Sequence, residues 1–150
     1  MCGPASLKMV FDYYGLDVSE KDVVKLTGII PGVGIHAEDI VRGAAILGFK
    51  SVVVNESNFD DVKTWLDRGV PVIVDWFTKG RSDYSDSEVA DGHYSVVTGI
   101  DHRYIYLQDP EIGGQRKIHK EDFLKVWFDF KGQTINAEEL IIRQLIAIYN

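Results

Sequence analysis

The stretch from Cys2 to Gly15, CGPASLKMVFDYYG, decides how the rest of the chain is interpreted, because it sets the only cysteine of the sequence against a helix pattern. The large apolar residues of this stretch recur at helical spacing and are Leu7, Val10, Phe11 and Tyr14. Such spacing predicts one apolar helix face. Pro4 fits the first turn of that helix, where its missing N–H is not needed, and Gly15 fits its end.

The position of Cys2 suggests thiol chemistry. The thiolate is the reactive form of cysteine, and the N-terminus of a helix favours it through free N–H groups and a partial positive charge. The pattern therefore predicts a lowered pKa for the Cys2 thiol. The alternative is that Cys2 is a small buried apolar residue without chemistry, as most cysteines are.

A thiolate nucleophile needs a base, and histidine is the first candidate. The histidines of the chain are His36, His93, His102 and His119. Three of them lie beside turns or predicted helix starts, where polar side chains cap and hydrogen-bond locally. His93 differs, because it begins a predicted strand directly after a polar loop at 78–92. His93 is therefore the candidate base.

A carboxylate that could orient His93 follows from a predicted hairpin. Two predicted strands, His93–Ile100 and Arg103–Asp109, flank a two-residue loop. This loop length sets His93 opposite Pro110, with Asp109 one position away at the same end of the hairpin. A one-residue bulge or a three-residue loop would set His93 and Asp109 directly opposite, where Cβ atoms lie about 5 Å apart. The alternative is that Asp109 only ends a strand and opens a turn.

The remaining patterns predict an α+β fold with helices packed on a mainly antiparallel sheet. Helix patterns come first along the chain and strand patterns dominate later, which favours segregated layers. Further helices are predicted at 19–27, 37–48, 58–68 and 120–128, with a turn at 31–34. Further strands are predicted at 49–55, at 70–76, within 111–119 and at 140–149.

Length and composition narrow the class of protein. The 150 residues predict one domain over 1–150 of ordinary globular composition. The formal charge of −7 and the lack of a Lys/Arg cluster argue against a nucleic-acid partner and an anionic membrane surface. The apolar runs are too short to span a bilayer, which predicts no membrane insertion. No signal-peptide pattern begins the sequence, which favours a cytoplasmic protein as the chain is given.

Three motifs in order, CGPASLKMVFDYYG, GHYSVVTGID and YIYLQDP, resemble the bacteriocin-processing, double-glycine-leader cysteine peptidases and their stand-alone relatives. The resemblance extends over nearly the whole chain, to about Val126. It implies a papain-like α+β fold with Cys2 as nucleophile, His93 as base and Asp109 as the residue that orients the base. It also implies a peptide or protein substrate, and neither a metal nor an organic cofactor.

One departure from this family concerns the oxyanion donor. Family members carry a Gln a few residues before the nucleophile, whereas only Met1 precedes Cys2 here. The glutamines of the chain all lie downstream and are Gln108, Gln115, Gln133 and Gln144. Three explanations stay open: the chain lacks an N-terminal segment, another donor replaces the Gln, or the protein is no longer a peptidase.

The sequence thus leaves competing functions. The leading prediction is a cysteine peptidase, or a related thiol acyl-transferase, that uses Cys2, His93 and Asp109. The second is a non-catalytic module that binds a peptide or leader on the same fold, and the missing Gln favours it. The third is a zinc site built from the same three residues, but no Cys-x-x-Cys or His-x-x-x-His spacing supports it.

Overall fold

The computed structural model describes residues 2–29, 35–78, 93–110, 113–130 and 140–150. Its helices are α1 (Cys2–Tyr13), α2 (Glu20–Thr27), α3 (Ala37–Ile46), α4 (Phe59–Asp67) and α5 (Lys120–Val126). Its strands are β1 (Lys50–Val54), β2 (Val72–Trp76), β3 (His93–Ile100), β4 (Tyr104–Asp109), β5 (Gly114–His119), β6 (Phe128–Phe130), β7 (Leu140–Ile142) and β8 (Leu145–Tyr149). The predicted turn at 31–34, and all but the first residue of the predicted loop at 78–92, lie outside the described residues.

Six of the strands form one sheet in the order β1-β8-β2-β3-β4-β5, and every neighbouring pair in it is antiparallel. Strands β6 and β7 form a separate antiparallel pair. Helices packed on a mainly antiparallel sheet confirm the predicted α+β class. Among the described residues, no helix has both the length and the apolar character needed to cross a membrane.

The main sheet lies between two apolar layers. In the first layer, α1 and α3 pack on the sheet through residues that include Phe11 and Ile40. In the second layer, α4 and α5 pack on the opposite face through residues that include Val62 and Phe123. The strand β3 contributes to both layers, because successive side chains of a strand point to opposite faces. Tyr94 of β3 enters the first layer, which places its neighbour His93 on the side of the second.

The predicted helix boundaries rest on capping residues that the structure contains. Gly15 follows α1 with a left-handed φ of 80°. Ser19 caps α2 by accepting a hydrogen bond from the backbone N–H of Asp22. Asn58 and Asp61 form a reciprocal capping box at the start of α4. Ser19 and Asn58 confirm the predicted starts of α2 and α4, since each cap satisfies N–H groups that the helix leaves unpaired. Gly15 confirms the predicted end of α1.

The prediction of a single last strand at 140–149 is wrong. This segment forms β7 and β8, which belong to different sheets. Arg143 lies between them with a left-handed φ of 46°, and its backbone N–H donates to the carbonyl of Trp127. Its guanidinium also donates to the carbonyl of Ser57 at 2.7 Å. These contacts turn the chain, so that β8 enters the main sheet while β7 pairs with β6, a strand that the sequence did not predict.

The loop of the β3–β4 hairpin also differs from the predicted one. Asp101 Oδ1 accepts hydrogen bonds from the backbone N–H groups of Arg103 and Tyr104, at 2.8 and 2.7 Å. The backbone N–H of Asp101 also donates to the carbonyl of Tyr104 at 3.0 Å, so this Asx-type turn is shifted by one residue from the predicted loop. Consequently Ile100 pairs with Ile105, and not with Arg103.

A bulge within β3 then shifts the register by one residue, as the sequence allowed. Beyond the bulge, Val96 pairs with Gln108. Continuing this register by one residue sets Asp109 beside Ser95. His93 is therefore a diagonal neighbour of Asp109 on the same face of the sheet, rather than its direct opposite.

Candidate active site

Helix α1 fixes Cys2 against the start of β3. Cys2 is the first residue of α1, and its thiol is hydrogen-bonded by the backbone N–H of Tyr94, the residue that follows His93. One turn further along α1, Ser6 Oγ donates to the carbonyl of Tyr94 at 3.1 Å. These two side chains therefore hold the N-terminal end of α1 on the strand that carries His93.

Gly3 allows this end of α1 to pack closely. A Cβ atom at Gly3 would lie 2.3 Å from Cγ2 of Ile35, a distance that Cβ atoms essentially never show. Ile35 packs on the same apolar layer as Cys2 and precedes α3. The residue after the candidate nucleophile must therefore be small for α1 and the segment before α3 to meet.

Burial raises the pKa of the Cys2 thiol, although the backbone N–H of Tyr94 favours the thiolate. The prediction that the helix N-terminus lowers this pKa is therefore wrong. The physical reason is that desolvation disfavours a charge, and here it outweighs the hydrogen bonds. In the resting protein Cys2 is a neutral thiol at neutral pH.

The structure brings His93 and Asp109 together. His93 Nε2 lies 2.7 Å from Asp109 Oδ1, and both side chains are buried. The ring of Trp76, from the neighbouring strand β2, packs edge-on against the imidazole with its centroid 5.7 Å away. Ser95 holds that indole by accepting a hydrogen bond from Trp76 Nε1 at 3.0 Å. The imidazole is thus fixed by a carboxylate on one strand and an aromatic ring on another.

Burial, and after it the positive charge of Arg116, lower the pKa of His93 to about 4. His93 is therefore neutral at neutral pH. We assign its proton to Nε2, because that nitrogen faces the carboxylate of Asp109. Nδ1 then carries the lone pair, which is the form that a general base needs.

The sequence did not predict Arg116 as part of this site. Arg116 Nε lies 2.7 Å from Asp109 Oδ2, and its side chain is 9% exposed. The signal was present in the register of β5: Asp109 pairs with Gly114, so Arg116 lies on the same face of the sheet two residues further on. The sequence prediction started a strand here without pairing it to β4.

A second group that the sequence did not identify lies on the Cys2 side of the sheet. Asp75 of β2 pairs with Tyr94 and is fully buried. Burial raises the pKa of Asp75 well above its usual value, and the nearby carboxyl of Asp129 raises it further. A negative charge on Cys2 would act in the same direction. Burial therefore favours the neutral carboxylic acid form of Asp75.

The geometry of the described residues does not favour a metal site. Within the described ranges, no three His, Cys, Asp or Glu side chains converge in a way that could hold a metal ion. What the described residues offer is a half-buried thiol at a helix N-terminus, next to a strand that begins with a neutral, carboxylate-bound imidazole. A thiol and a carboxylate-bound imidazole on neighbouring elements are the groups that a thiol nucleophile and its base require.

A model of the Peptidase_C39 like family matches residues 1–135, and the chain belongs to this family. Among curated proteins, it is similar to the uncharacterized protein YvpB of Bacillus subtilis (strain 168). The two are 24% identical over 168 residues, which cover 89% of this chain and 67% of YvpB.

Solved structures share the fold over 99% of this chain. They include the peptidase domain of Streptococcus ComA, a bi-functional ABC transporter involved in quorum sensing, with a TM-score of 0.71, 24% identity and 90% of that chain covered. A double glycine motif protease from an AMS/PCAT transporter, in complex with its leader peptide, has a TM-score of 0.68, 21% identity and 83% coverage. A putative C39-like peptidase from Bacillus anthracis has a TM-score of 0.70, 16% identity and 88% coverage. The fold is therefore that of C39 papain-like peptidase domains.

Proposed function

We propose that this protein is a cysteine peptidase in which Cys2 is the nucleophile, His93 the general base and Asp109 the residue that orients His93. The observation that carries the proposal is the buried hydrogen bond of 2.7 Å between His93 and Asp109. It fixes an imidazole at the first residue of the strand whose second residue, Tyr94, contacts the Cys2 thiol. Membership of the Peptidase_C39 like family supports the same chemistry.

The proposed reaction begins from neutral groups. As Cys2 Sγ attacks the substrate carbonyl carbon, its proton passes to His93 Nδ1, and the imidazolium that forms is stabilised by Asp109. The backbone N–H of Cys2, at the start of α1, donates to the oxyanion. The C–N bond then breaks as His93 returns the proton to the leaving amine. Water, deprotonated by His93, releases the acyl group from Cys2 and regenerates the thiol.

The proposed substrate is a peptide that carries a double-glycine motif. The solved neighbour that is called a double glycine motif protease was crystallised with its leader peptide, which makes such a peptide the first substrate to test. If an amine replaces water in the second step, the same site acts as a thiol acyl-transferase. The choice between the two outcomes depends on which nucleophile reaches the thioester.

A second candidate function is a peptide-binding module without catalysis. The raised pKa of the Cys2 thiol favours it, because little thiolate is present before a substrate binds. The same neutral thiol is compatible with catalysis only if proton transfer to His93 accompanies the attack. The two functions therefore differ in whether a bound peptide is cut.

The experiment compares cleavage and binding of one fluorescent leader-type peptide with a Gly-Gly site. Wild type should cleave it, Cys2→Ala should bind it without cleavage, and His93→Gln should lose about 10²- to 10⁴-fold in kcat/KM. His102→Gln is the matched control, because His102 is an exposed residue at the distant hairpin turn. Binding without cleavage by wild type would favour the binding module. Cleavage that persists in Cys2→Ala would overturn the proposed mechanism.

A further inference from the structure

We propose that Arg116 is a positioning residue of this site: its guanidinium holds the Asp109 carboxylate in place and keeps the His93 imidazole uncharged, so that it can act as a base. The inference deepens the proposed function and rests on it, because it assigns a role to a residue behind the proposed base. Arg116 acts through Asp109, whose carboxylate lies between its guanidinium and the imidazole of His93.

The geometry of β5 brings Arg116 to the carboxylate. β5 is the edge strand next to β4, and Gly114 is the residue paired with Asp109. Arg116 lies two residues beyond Gly114, on the same face of the sheet as Asp109. Its Nε donates to Asp109 Oδ2 at 2.7 Å.

The two oxygens of Asp109 have different partners. Oδ1 lies 2.7 Å from His93 Nε2, and Oδ2 lies 2.7 Å from Arg116 Nε. A carboxylate held through both oxygens cannot rotate without breaking one of the bonds. The direction of the bond to His93 is therefore set by Arg116, and with it the orientation of the imidazole.

The charges of the three residues lead to the same conclusion. The Asp109 side chain is 0% exposed, and a carboxylate buried in this way needs a compensating positive charge. Arg116 supplies that charge, so His93 can stay neutral. After burial, the positive charge of Arg116 also lowers the pKa of His93. Without Arg116, a protonated His93 would be favoured, because its charge would compensate the carboxylate of Asp109, and an imidazolium cannot accept the proton of Cys2.

Removal of Arg116 should therefore raise the pKa of His93. Arg116→Gln removes the charge and retains polar atoms, and Arg116→Lys retains the charge but not the planar guanidinium. Lys117→Gln is the matched control, since Lys117 is on the same strand but exposed on the opposite face, with its ammonium over the ring of Tyr104. The control removes the same charge one residue away.

The experiment measures the His93 titration by NMR in protein with isotope-labelled histidine, with the His93 signal assigned by its loss in His93→Gln. This readout needs no substrate. We expect the His93 pKa to rise by about 1 to 2 units in Arg116→Gln, the size typical of a nearby charge. It should stay within a few tenths of a unit of wild type in Arg116→Lys and Lys117→Gln. In a parallel assay, the acid limb of kcat/KM should move by the same amount in Arg116→Gln.

An unchanged His93 pKa in folded Arg116→Gln would overturn the inference, as would an equal rise in Lys117→Gln. If Arg116→Gln does not fold, Arg116→Lys becomes the test. We expect an unchanged His93 pKa and about a tenfold loss of kcat with KM retained in this variant. An unchanged kcat would overturn the inference. A shifted titration in a protein that cleaves no peptide would support the role of Arg116 and reject the proposed function. The two failures are therefore distinguishable.

Discussion

The buried carboxyl of Asp75 gives a quantitative prediction about stability. Its pKa is raised well above its usual value by burial first and by the charge of Asp129 next, so the folded protein holds a proton that the unfolded chain releases near pH 4. Asp75→Asn replaces this neutral acid by a neutral amide of similar shape. The variant should therefore fold, and it should lose the part of the pH dependence that Asp75 causes.

The sign and size follow from proton linkage. Between the unfolded and the folded pKa of Asp75, the folded state binds more protons than the unfolded state, so wild-type stability falls as pH rises. The slope of that fall is about 1.4 kcal/mol per pH unit for one group. Over the pH range between the two pKa values, the free energy of unfolding of Asp75→Asn should thus rise with this slope relative to that of wild type.

The assay is urea unfolding of both proteins at pH 5, 6, 7 and 8, followed by tryptophan fluorescence. The difference between the two free energies is the quantity to plot, because the contributions of titrating groups that do not interact with Asp75 cancel in it. Asp67→Asn is the surface control, since it removes a carboxyl whose side chain is 63% exposed. A flat or falling difference for Asp75→Asn would show that Asp75 is ionised in the folded protein and would contradict a raised pKa of Asp75.

Three further substitutions test the packing around the site by urea unfolding. Gly3→Ala should destabilise the protein and weaken peptide cleavage, because the new methyl group would meet Ile35 at 2.3 Å; unchanged stability would contradict this packing. Ser95→Ala should lower the free energy of unfolding by about 1 to 3 kcal/mol, since it removes the hydroxyl that accepts from the buried indole N–H of Trp76. An unchanged free energy would argue against that hydrogen bond. Glu56→Gly should stabilise the protein by up to about 1 kcal/mol, because Glu56 has a left-handed φ of 55°. A loss of stability would mean that the contacts of the Glu56 side chain outweigh the strain of its backbone.

The parts of the fold that the sequence predicted are those that depend on local interactions. The spacing of apolar residues in α1 and the caps Ser19 and Asn58 act within a few residues, so the sequence pattern contains all the information they need. The break at Arg143 could not be predicted in this way. Its left-handed conformation is held by contacts with Trp127 and Ser57, which are distant in the chain.

The same distinction holds for the candidate site. The proximity of His93 and Asp109 could be predicted, because both lie at one end of one hairpin, although the loop and register were not predicted correctly. The role of Arg116 needed the pairing of a third strand, and the raised pKa of Asp75 needed the burial that only the packed sheet shows. The lowered pKa predicted for Cys2 failed for a related reason: a helix pattern does not reveal how far packing desolvates the thiol.

The most direct test of the central claim is the intact mass of the protein, quenched in acid during its reaction with an activated ester of a peptide that ends in Gly-Gly. The proposed mechanism predicts a thioester adduct on Cys2 that forms and then hydrolyses in wild type. It predicts no adduct in Cys2→Ala and formation slowed by at least about 100-fold in His93→Gln, the loss expected for a general base. An adduct on another residue would contradict the role of Cys2 as nucleophile. Equal rates of acylation in wild type and His93→Gln would contradict the role of His93 as base.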